Sequence, residues 1–108
     1  MIKLKIKPLS LNHAYRGRRY TTPELADFKQ LIHWTAPKML IPKGKLMVKY
    51  IFGVSSKNAD GDNLIKCCQD ALAEKYGFND KNIYKWEVEK IDVEKGKEYI
   101  EFEIKKYK

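Results

Sequence analysis

The chain has 108 residues and a mass of 12.7 kDa, which is enough for a single domain spanning 1–108 and no more. A hydrophobic content of 44% with 12% aromatic residues excludes a disordered tail. No apolar run approaches the roughly 20 residues that cross a bilayer, and no signal-peptide pattern opens the chain, so no membrane partner is expected. The formal net charge of +8 is large for this size and indicates a polyanionic partner.

The charge divides unevenly along the chain. Residues 1–57 hold twelve Lys and Arg residues against two acidic residues, whereas residues 58–108 hold ten Lys residues against twelve acidic ones. A basic half is therefore followed by a slightly acidic half. Cys67 and Cys68 are adjacent, so no CxxC pair and no disulfide framework is expected, and a reducing cytoplasm fits best.

The first elements along the chain are predicted to be a strand, a loop and a helix. Apolar and Lys residues alternate over 2–7, which is the pattern of a half-buried strand, and Pro8 ends it. Residues 9–22 hold turn-forming residues without a sustained period and are predicted to form an ordered loop. A helix start follows at 22–24 (TPE), with a hydroxyl cap, Pro at the first helical position and an acidic first turn. This helix is expected to end before Pro37.

The remaining elements are predicted to be a strand, a helix and two further strands. Apolar residues alternate over 46–54 in a pattern that favours a central strand. A second helix is expected over about 62–76, ended by Gly77. Two strands then complete the chain, at about 83–91 and 98–105. The predicted fold class is α+β in the order β-α-β-α-β-β, with helices packed on a mixed sheet.

Residues 58–72 (NADGDNLIKCCQDAL) carry the strongest chemical signal. On a helix, Asp62, Lys66 and Asp70 form one polar stripe opposite a wide apolar face, so the stripe points away from the core. Such a ladder is typical of solvated ion pairs, and Asp60 has the alternative role of a helix cap. Against this interpretation, the carboxylates of Asp60 and Asp62 repel each other unless a cation lies between them. Hard divalent ions such as Mg²⁺ favour carboxylate oxygens.

The same residues resemble a known signature. Residues 60–66 (DGDNLIK) with 70–72 (DAL) resemble the D-x-D-N-L-x-K…D-A-L motif of the RusA family of Holliday-junction resolvases. The upstream segment 11–16 (LNHAYR) and the downstream segment 78–83 (FNDKNI) are similar to further elements of that family, in the right order. One departure is Asn79, where the family often has a second Asp.

This resemblance implies a homodimeric, Mg²⁺-dependent endonuclease that resolves Holliday junctions by paired symmetric nicks in DNA recombination and repair. Mn²⁺ is the alternative ion, and the partners are branched DNA and a second copy of the chain. The setting is a bacterial cytoplasm, for a host or a phage protein. Three acidic groups are expected to converge from a turn, a helix start and a loop. The catalytic residues implied are Lys66 and the three metal-binding carboxylates Asp60, Asp62 and Asp80.

Further residues are interpreted as supporting the site or contacting DNA. Asn63 and Asp70 are expected to lie behind the catalytic residues, Asp70 by holding Lys66 one turn away, with an ordinary surface ion pair as its alternative. In the basic loop, arginines suit phosphate contacts and tyrosines suit stacking, with a solvated surface loop as the alternative. The predicted DNA-binding residues are Asn12, Tyr15, Arg16, Arg18, Arg19 and Tyr20.

Trp34 and Trp86 are predicted to be core or dimer-interface residues, with base stacking as the alternative, and Cys67 and Cys68 to be buried thiols. Two other functions stay open: a non-catalytic basic module that binds nucleic acid, and a nuclease for other branched DNA. The three carboxylates distinguish the non-catalytic binding module from a nuclease. A protein that only binds DNA would gain affinity from losing acids that repel phosphate.

Overall fold

The structure is a computed structural model that describes residues 1–9, 15, 16, 20, 21, 23–56 and 61–108. Its elements follow the predicted order. They are β1 (Ile2–Leu4), β2 (Tyr15–Arg16), β3 (Tyr20–Thr21), α1 (Pro23–Thr35), β4 (Leu46–Val54), α2 (Gly61–Tyr76), a 3-10 turn (Asp80–Asn82), β5 (Ile83–Asp92) and β6 (Tyr99–Lys106).

Four strands form a mixed sheet in the order β1-β6-β4-β5, which confirms the predicted α+β class and the central place of β4. β5 runs parallel to β4 and begins where Ile83 pairs with Leu46, while β6 is antiparallel to both β4 and β1. The crossover between the parallel strands is α2. It therefore runs back along the sheet, from the end of β4 to the start of β5.

The core lies between one face of this sheet and the two helices. Alternate residues of β4 from Leu46 onward are buried, whereas most of those between them are only partly covered. α1 contributes Leu25, Phe28 and Ile32 to the core. From α2 come several apolar side chains, including the thiols of Cys67 and Cys68, which are free and buried as predicted.

Both helix ends that the sequence predicts are confirmed. α1 ends at Thr35, before Pro37, and it begins at Pro23; the predicted cap Thr22 lies outside the described residues. α2 ends at Tyr76, and Gly77 follows with φ of +72°, a conformation that glycine adopts without a steric penalty. Neither helix is long and apolar enough to cross a membrane, judged over the described parts of the chain.

The loop predicted over 9–22 contains a short antiparallel ladder. Tyr15 pairs with Thr21 and Arg16 pairs with Tyr20, which joins β2 to β3. The sequence could not indicate this ladder, because two residues per strand are too few for an alternating pattern to appear.

The core interpretation of Trp34 is wrong. Its side chain is 76% exposed, while Ile32, two residues earlier on α1, is fully buried. Two residues correspond to about 200° around a helix, so burial of Ile32 turns Trp34 toward solvent. Trp86 is half-exposed on β5. For both residues the dimer-interface alternative stays a prediction.

Candidate active site

Two residues of the predicted polar stripe, Lys66 and Asp70, lie on the outer side of α2. The side chains of Lys66 and Asp70 are 51% and 22% exposed, whereas Leu64 and Leu72 on the opposite side are buried. Lys66 Nζ lies 3.1 Å from Asp70 Oδ1 and donates a hydrogen bond to it. An ion pair this exposed contributes little to stability, so its main effect is to restrict where the ammonium group lies. The contact fits both the supporting role of Asp70 and the ordinary surface ion pair.

The two thiols on the buried side of α2 are unreactive. Burial, together with the nearby Asp70 carboxylate, raises the pKa of Cys67 to about 11. Burial also raises the pKa of Cys68, with a further contribution from the neighbouring Cys67. Because the thiolate is the form that binds metals and attacks substrates, both residues are structural at neutral pH.

Gln69 is a buried polar residue that the sequence reasoning missed. Its Oε1 accepts hydrogen bonds from the hydroxyl of Tyr50 on β4 at 3.3 Å and from Nε1 of Trp86 on β5 at 2.9 Å. Burial raises the pKa of Tyr50 well above its ordinary value, so its hydroxyl remains a donor. Gln69 thus fixes α2 against two strands beside the polar stripe. The sequence signal that could have indicated this role is the helical position of Gln69, at the border between the polar stripe and the apolar face.

Asp80 lies in the 3-10 turn that precedes β5. The turn is capped by Asn79, whose Oδ1 accepts a hydrogen bond from the Lys81 backbone N–H at 2.9 Å. Asp80 itself is exposed. The carboxamide of Asn79 therefore holds the turn that carries Asp80.

Within one chain, the fold places positions 62 and 80 at opposite ends of α2. Position 62 is in the first turn of this helix and Asp80 follows its end. The helix rises about 1.5 Å per residue, so about 20 Å separates position 62 from Tyr76. The register between β4 and β5 also separates the two positions. β5 starts opposite Leu46 at the beginning of β4, while α2 starts after the end of β4. Mg²⁺ binds oxygens at about 2.1 Å, so α2 does not bring these two acids of one chain to a common ion.

An open groove of about 510 Å³ runs between the helices toward Asp80. Two of its three acidic members, Asp70 and Glu74, come from α2, and Lys29 of α1 lies 3.2 Å from Glu74. Among the described residues, no three His, Cys, Asp or Glu side chains are grouped so that they could hold a metal ion. The remaining lining residues are Ala73, Gly77, Phe78, Asn79 and Asp80.

Several predicted site residues have side chains that the structure does not describe. Position 60, predicted as a metal-binding Asp, lies outside the described residues, and so do three predicted DNA-binding residues, Asn12, Arg18 and Arg19. For the others only the backbone is described: Asp62 and Asn63 lie in the first turn of α2, and Tyr15, Arg16 and Tyr20 lie in the β2–β3 ladder.

Comparison with known proteins identifies a nuclease family. A family model described as endodeoxyribonuclease RusA matches residues 7–105, which is nearly the whole chain. A search of curated protein sequences found no match to this chain. The matched range includes the complete stripe of α2 and the 3-10 turn.

Proposed function

Because the chain belongs to the RusA family of endodeoxyribonucleases, we propose that it is a Mg²⁺-dependent, structure-selective nuclease that resolves Holliday junctions by paired symmetric nicks. Family membership makes it an enzyme that hydrolyses phosphodiester bonds of DNA. The observation that carries the proposal is the family match over residues 7–105, together with the solvent-facing position of Lys66 on α2. Its place would be in DNA recombination and repair.

We assign the divalent ion to Asp60, Asp62 and Asp80, whose carboxylate oxygens suit Mg²⁺ or Mn²⁺. When bound, the ion would activate water and offset the negative charge that develops on the phosphorus centre. Lys66 supplies a positive charge one turn beyond position 62, where it would orient the attacking water or stabilise the transition state. Asp70 restricts the Lys66 ammonium through their 3.1 Å contact, and Asn63 is assigned the same supporting role.

The separation of positions 62 and 80 supports a site shared between two chains. If both residues bind one ion, Asp80 must come from a second copy, because the two ends of α2 in one chain are about 20 Å apart. A homodimer also suits the substrate, since a four-way junction has two-fold symmetry and paired nicks require two sites related by that symmetry. The homodimer is therefore part of the proposal.

The DNA contacts are assigned to the basic half of the chain. Residues 1–57 hold twelve Lys and Arg residues against two acidic ones, which suits phosphate binding. Stacking on opened bases at the junction centre is assigned to the tyrosines of the β2–β3 region. The residues proposed are Asn12, Tyr15, Arg16, Arg18, Arg19 and Tyr20.

The test is Mg²⁺-dependent cleavage of a synthetic four-way junction, beside duplex and flap controls. Asp62→Asn is expected to lower cleavage at least about 100-fold while keeping or tightening junction binding, because a carboxylate that repels phosphate is removed. Lys66→Ala is expected to lower cleavage more than binding. The matched control is Asp27→Asn, which removes an exposed carboxylate of α1 and should leave both measurements unchanged.

The outcomes separate the competing functions. Cleavage that persists in Asp62→Asn contradicts the metal assignment, and binding without any cleavage by the natural sequence indicates the non-catalytic binding module. Faster cleavage of flaps than of four-way junctions indicates a nuclease for other branched DNA.

A further inference from the structure

Two tyrosines and a lysine form an exposed cluster at the end of the sheet where β5 begins and β6 ends. The rings of Tyr84 and Tyr107 stack with their centroids 5.7 Å apart and an interplanar angle of 29°. Lys45 Nζ lies 4.8 Å from the centroid of the Tyr84 ring, and the Lys45 carbonyl accepts a hydrogen bond from the Tyr107 backbone N–H at 2.9 Å. Tyr84 is 53% exposed and Tyr107 is 36% exposed. Aromatic side chains that are ordered by contacts yet open to water are typical of an interaction surface.

The positive charge of Lys45 is held by a neutral ring instead of an acid. Lys45 is exposed, and none of the ion pairs among the described residues involves it. An aromatic ring attracts an ammonium group through its quadrupole, so Tyr84 restricts where the ammonium lies without neutralising it. A polyanion can therefore bind this cation without first breaking an ion pair.

Two further lysines lie in the next row of the sheet. Lys85 of β5 and Lys105 of β6 both pair with Met47, the residue of β4 between them. Because Met47 alternates with buried residues of β4, this row lies on the sheet face away from the helices. The two lysine side chains are 54% and 57% exposed. Strands lie about 4.8 Å apart, so the two residues are separated by about 10 Å, which matches about three phosphates of one DNA strand at about 3.4 Å each.

Acidic residues limit this basic surface to the end of the sheet. One row further along the strands, Glu87 and Glu103 both pair with Lys49. Lys85 Nζ lies 3.7 Å from Glu87 Oε1, and Lys105 Nζ lies 3.4 Å from Glu103 Oε1, so each of these lysines keeps only part of its attraction for phosphate. The attraction for a polyanion is therefore strongest at the end of the sheet and weakens toward its middle. A DNA strand would cross this end instead of following the strands.

We propose that the phosphate backbone of one DNA arm of the substrate binds at this end of the sheet. The residues of this basic–aromatic surface are Lys45, Tyr84, Lys85, Lys105 and Tyr107. The lysines contact phosphates, and the stacked rings position the Lys45 ammonium group. The surface adds a second DNA contact to the one assigned to the β2–β3 region.

This surface deepens the proposed function, on which it rests, because it lies beside an assigned metal ligand. Asp80 is in the turn that leads into β5, four residues before Tyr84. DNA held here therefore passes close to that carboxylate. The charge split along the sequence does not indicate this surface, since four of its five residues belong to the half of the chain with an acidic excess. Only the pairing of β5 and β6 with β4 brings them to Lys45.

The test is the dissociation constant for a labelled synthetic four-way junction, measured by fluorescence anisotropy over a range of salt concentrations and without divalent metal. Lys45→Gln is expected to raise the dissociation constant about fivefold at about 100 mM salt. It should also lower the slope of log affinity against log salt by about one, because one phosphate contact is lost. Lys85→Gln/Lys105→Gln is expected to raise the dissociation constant about tenfold.

The matched controls lie in the β5–β6 turn, at the opposite end of the sheet. Lys95→Gln removes the same charge as Lys45→Gln from another exposed position. Lys95→Gln/Lys97→Gln matches the double variant, because Lys97 also lies near an acid, with its Nζ 3.3 Å from Glu94 Oε2. Both controls should keep the natural dissociation constant and slope. Unchanged binding in Lys45→Gln, or an equal loss in Lys95→Gln, overturns the surface.

The positioning role of the ring has its own readout. Tyr84→Leu removes the ring but no charge, so it is expected to raise the dissociation constant about threefold while changing the salt slope less than Lys45→Gln does. Tyr84→Phe keeps the ring and should bind within about twofold of the natural sequence. Natural binding by Tyr84→Leu contradicts this role. Since no metal is present, these results bear on the surface alone, whereas a natural sequence that binds the junction but does not cleave it with Mg²⁺ contradicts the proposed function.

Discussion

At the scale of single residues, Gln69 connects the candidate site to the core. It is the one buried polar side chain among the described residues, and one oxygen accepts from both Tyr50 and Trp86. Tyr50 is fully buried, so its hydroxyl depends on this acceptor. Trp86 is half-exposed, so its N–H can turn to water when the acceptor is removed.

We expect Gln69→Leu to lower the free energy of unfolding by about 1–3 kcal/mol, because it leaves the Tyr50 hydroxyl buried without a partner. Urea denaturation followed by circular dichroism measures this change. The double variant Gln69→Leu/Tyr50→Phe removes donor and acceptor together and should recover much of the loss. Equal stability of the single and double variants would show that the hydrogen bond between Gln69 and Tyr50 has no effect.

At the scale of elements, Glu98 ties the β5–β6 turn to the end of β4. Its carboxylate accepts hydrogen bonds from Ser55 Oγ at 2.7 Å and from the Gly96 backbone N–H at 2.8 Å. The hydrogen bond from Ser55 is the largest cause that lowers the pKa of Glu98 below its ordinary value of 4.5. The stabilisation from this ionised group is present above that ordinary value and is lost as pH falls through the lowered pKa.

Ser55→Ala is therefore expected to raise the pKa of Glu98 toward 4.5, as measured by NMR titration of its side chain. The difference in stability between the variant and the natural sequence should shrink as the pH falls through this range. Ser55→Thr keeps the hydroxyl and serves as the control that retains the low pKa. An unchanged Glu98 titration in Ser55→Ala contradicts the assigned cause.

The elements that the sequence predicts are those whose signal is local. The Pro23 start of α1, the Gly77 end of α2 and the alternation of β4 each depend on neighbouring residues, and all three are confirmed. The β2–β3 ladder and the exposure of Trp34 were not predicted. The ladder is too short to have a period, and the orientation of α1 depends on which residues its partners bury.

At the scale of the whole molecule, the candidate site shows the limit of sequence spacing. Lys66 and Asp70 could be placed on one stripe because helical periodicity is local, and their contact is present. The relation of positions 62 and 80 depends instead on topology. Since β5 is parallel to β4, the chain must return along α2 before β5 begins, which separates the two acids in one chain. Positions 62 and 80 are 18 residues apart in the sequence. No pattern between them indicates that β5 runs parallel to β4.

The shared site leads to a prediction about mixed dimers. If Asp62 and Asp80 of one site come from different chains, Asp62→Asn and Asp80→Asn should each be inactive alone but regain cleavage when their subunits are exchanged. A mixed dimer then has one site with both natural acids and one with neither, so random exchange should restore about a quarter of the sites. Strand nicks in a four-way junction, resolved on a denaturing gel, measure the recovery. Mixing Asp62→Asn with Lys66→Ala is the control, because both positions lie on α2 and every site in the mixture carries one of the two defects. Recovery in the control, or none in the test mixture although mixed dimers form, contradicts the shared site.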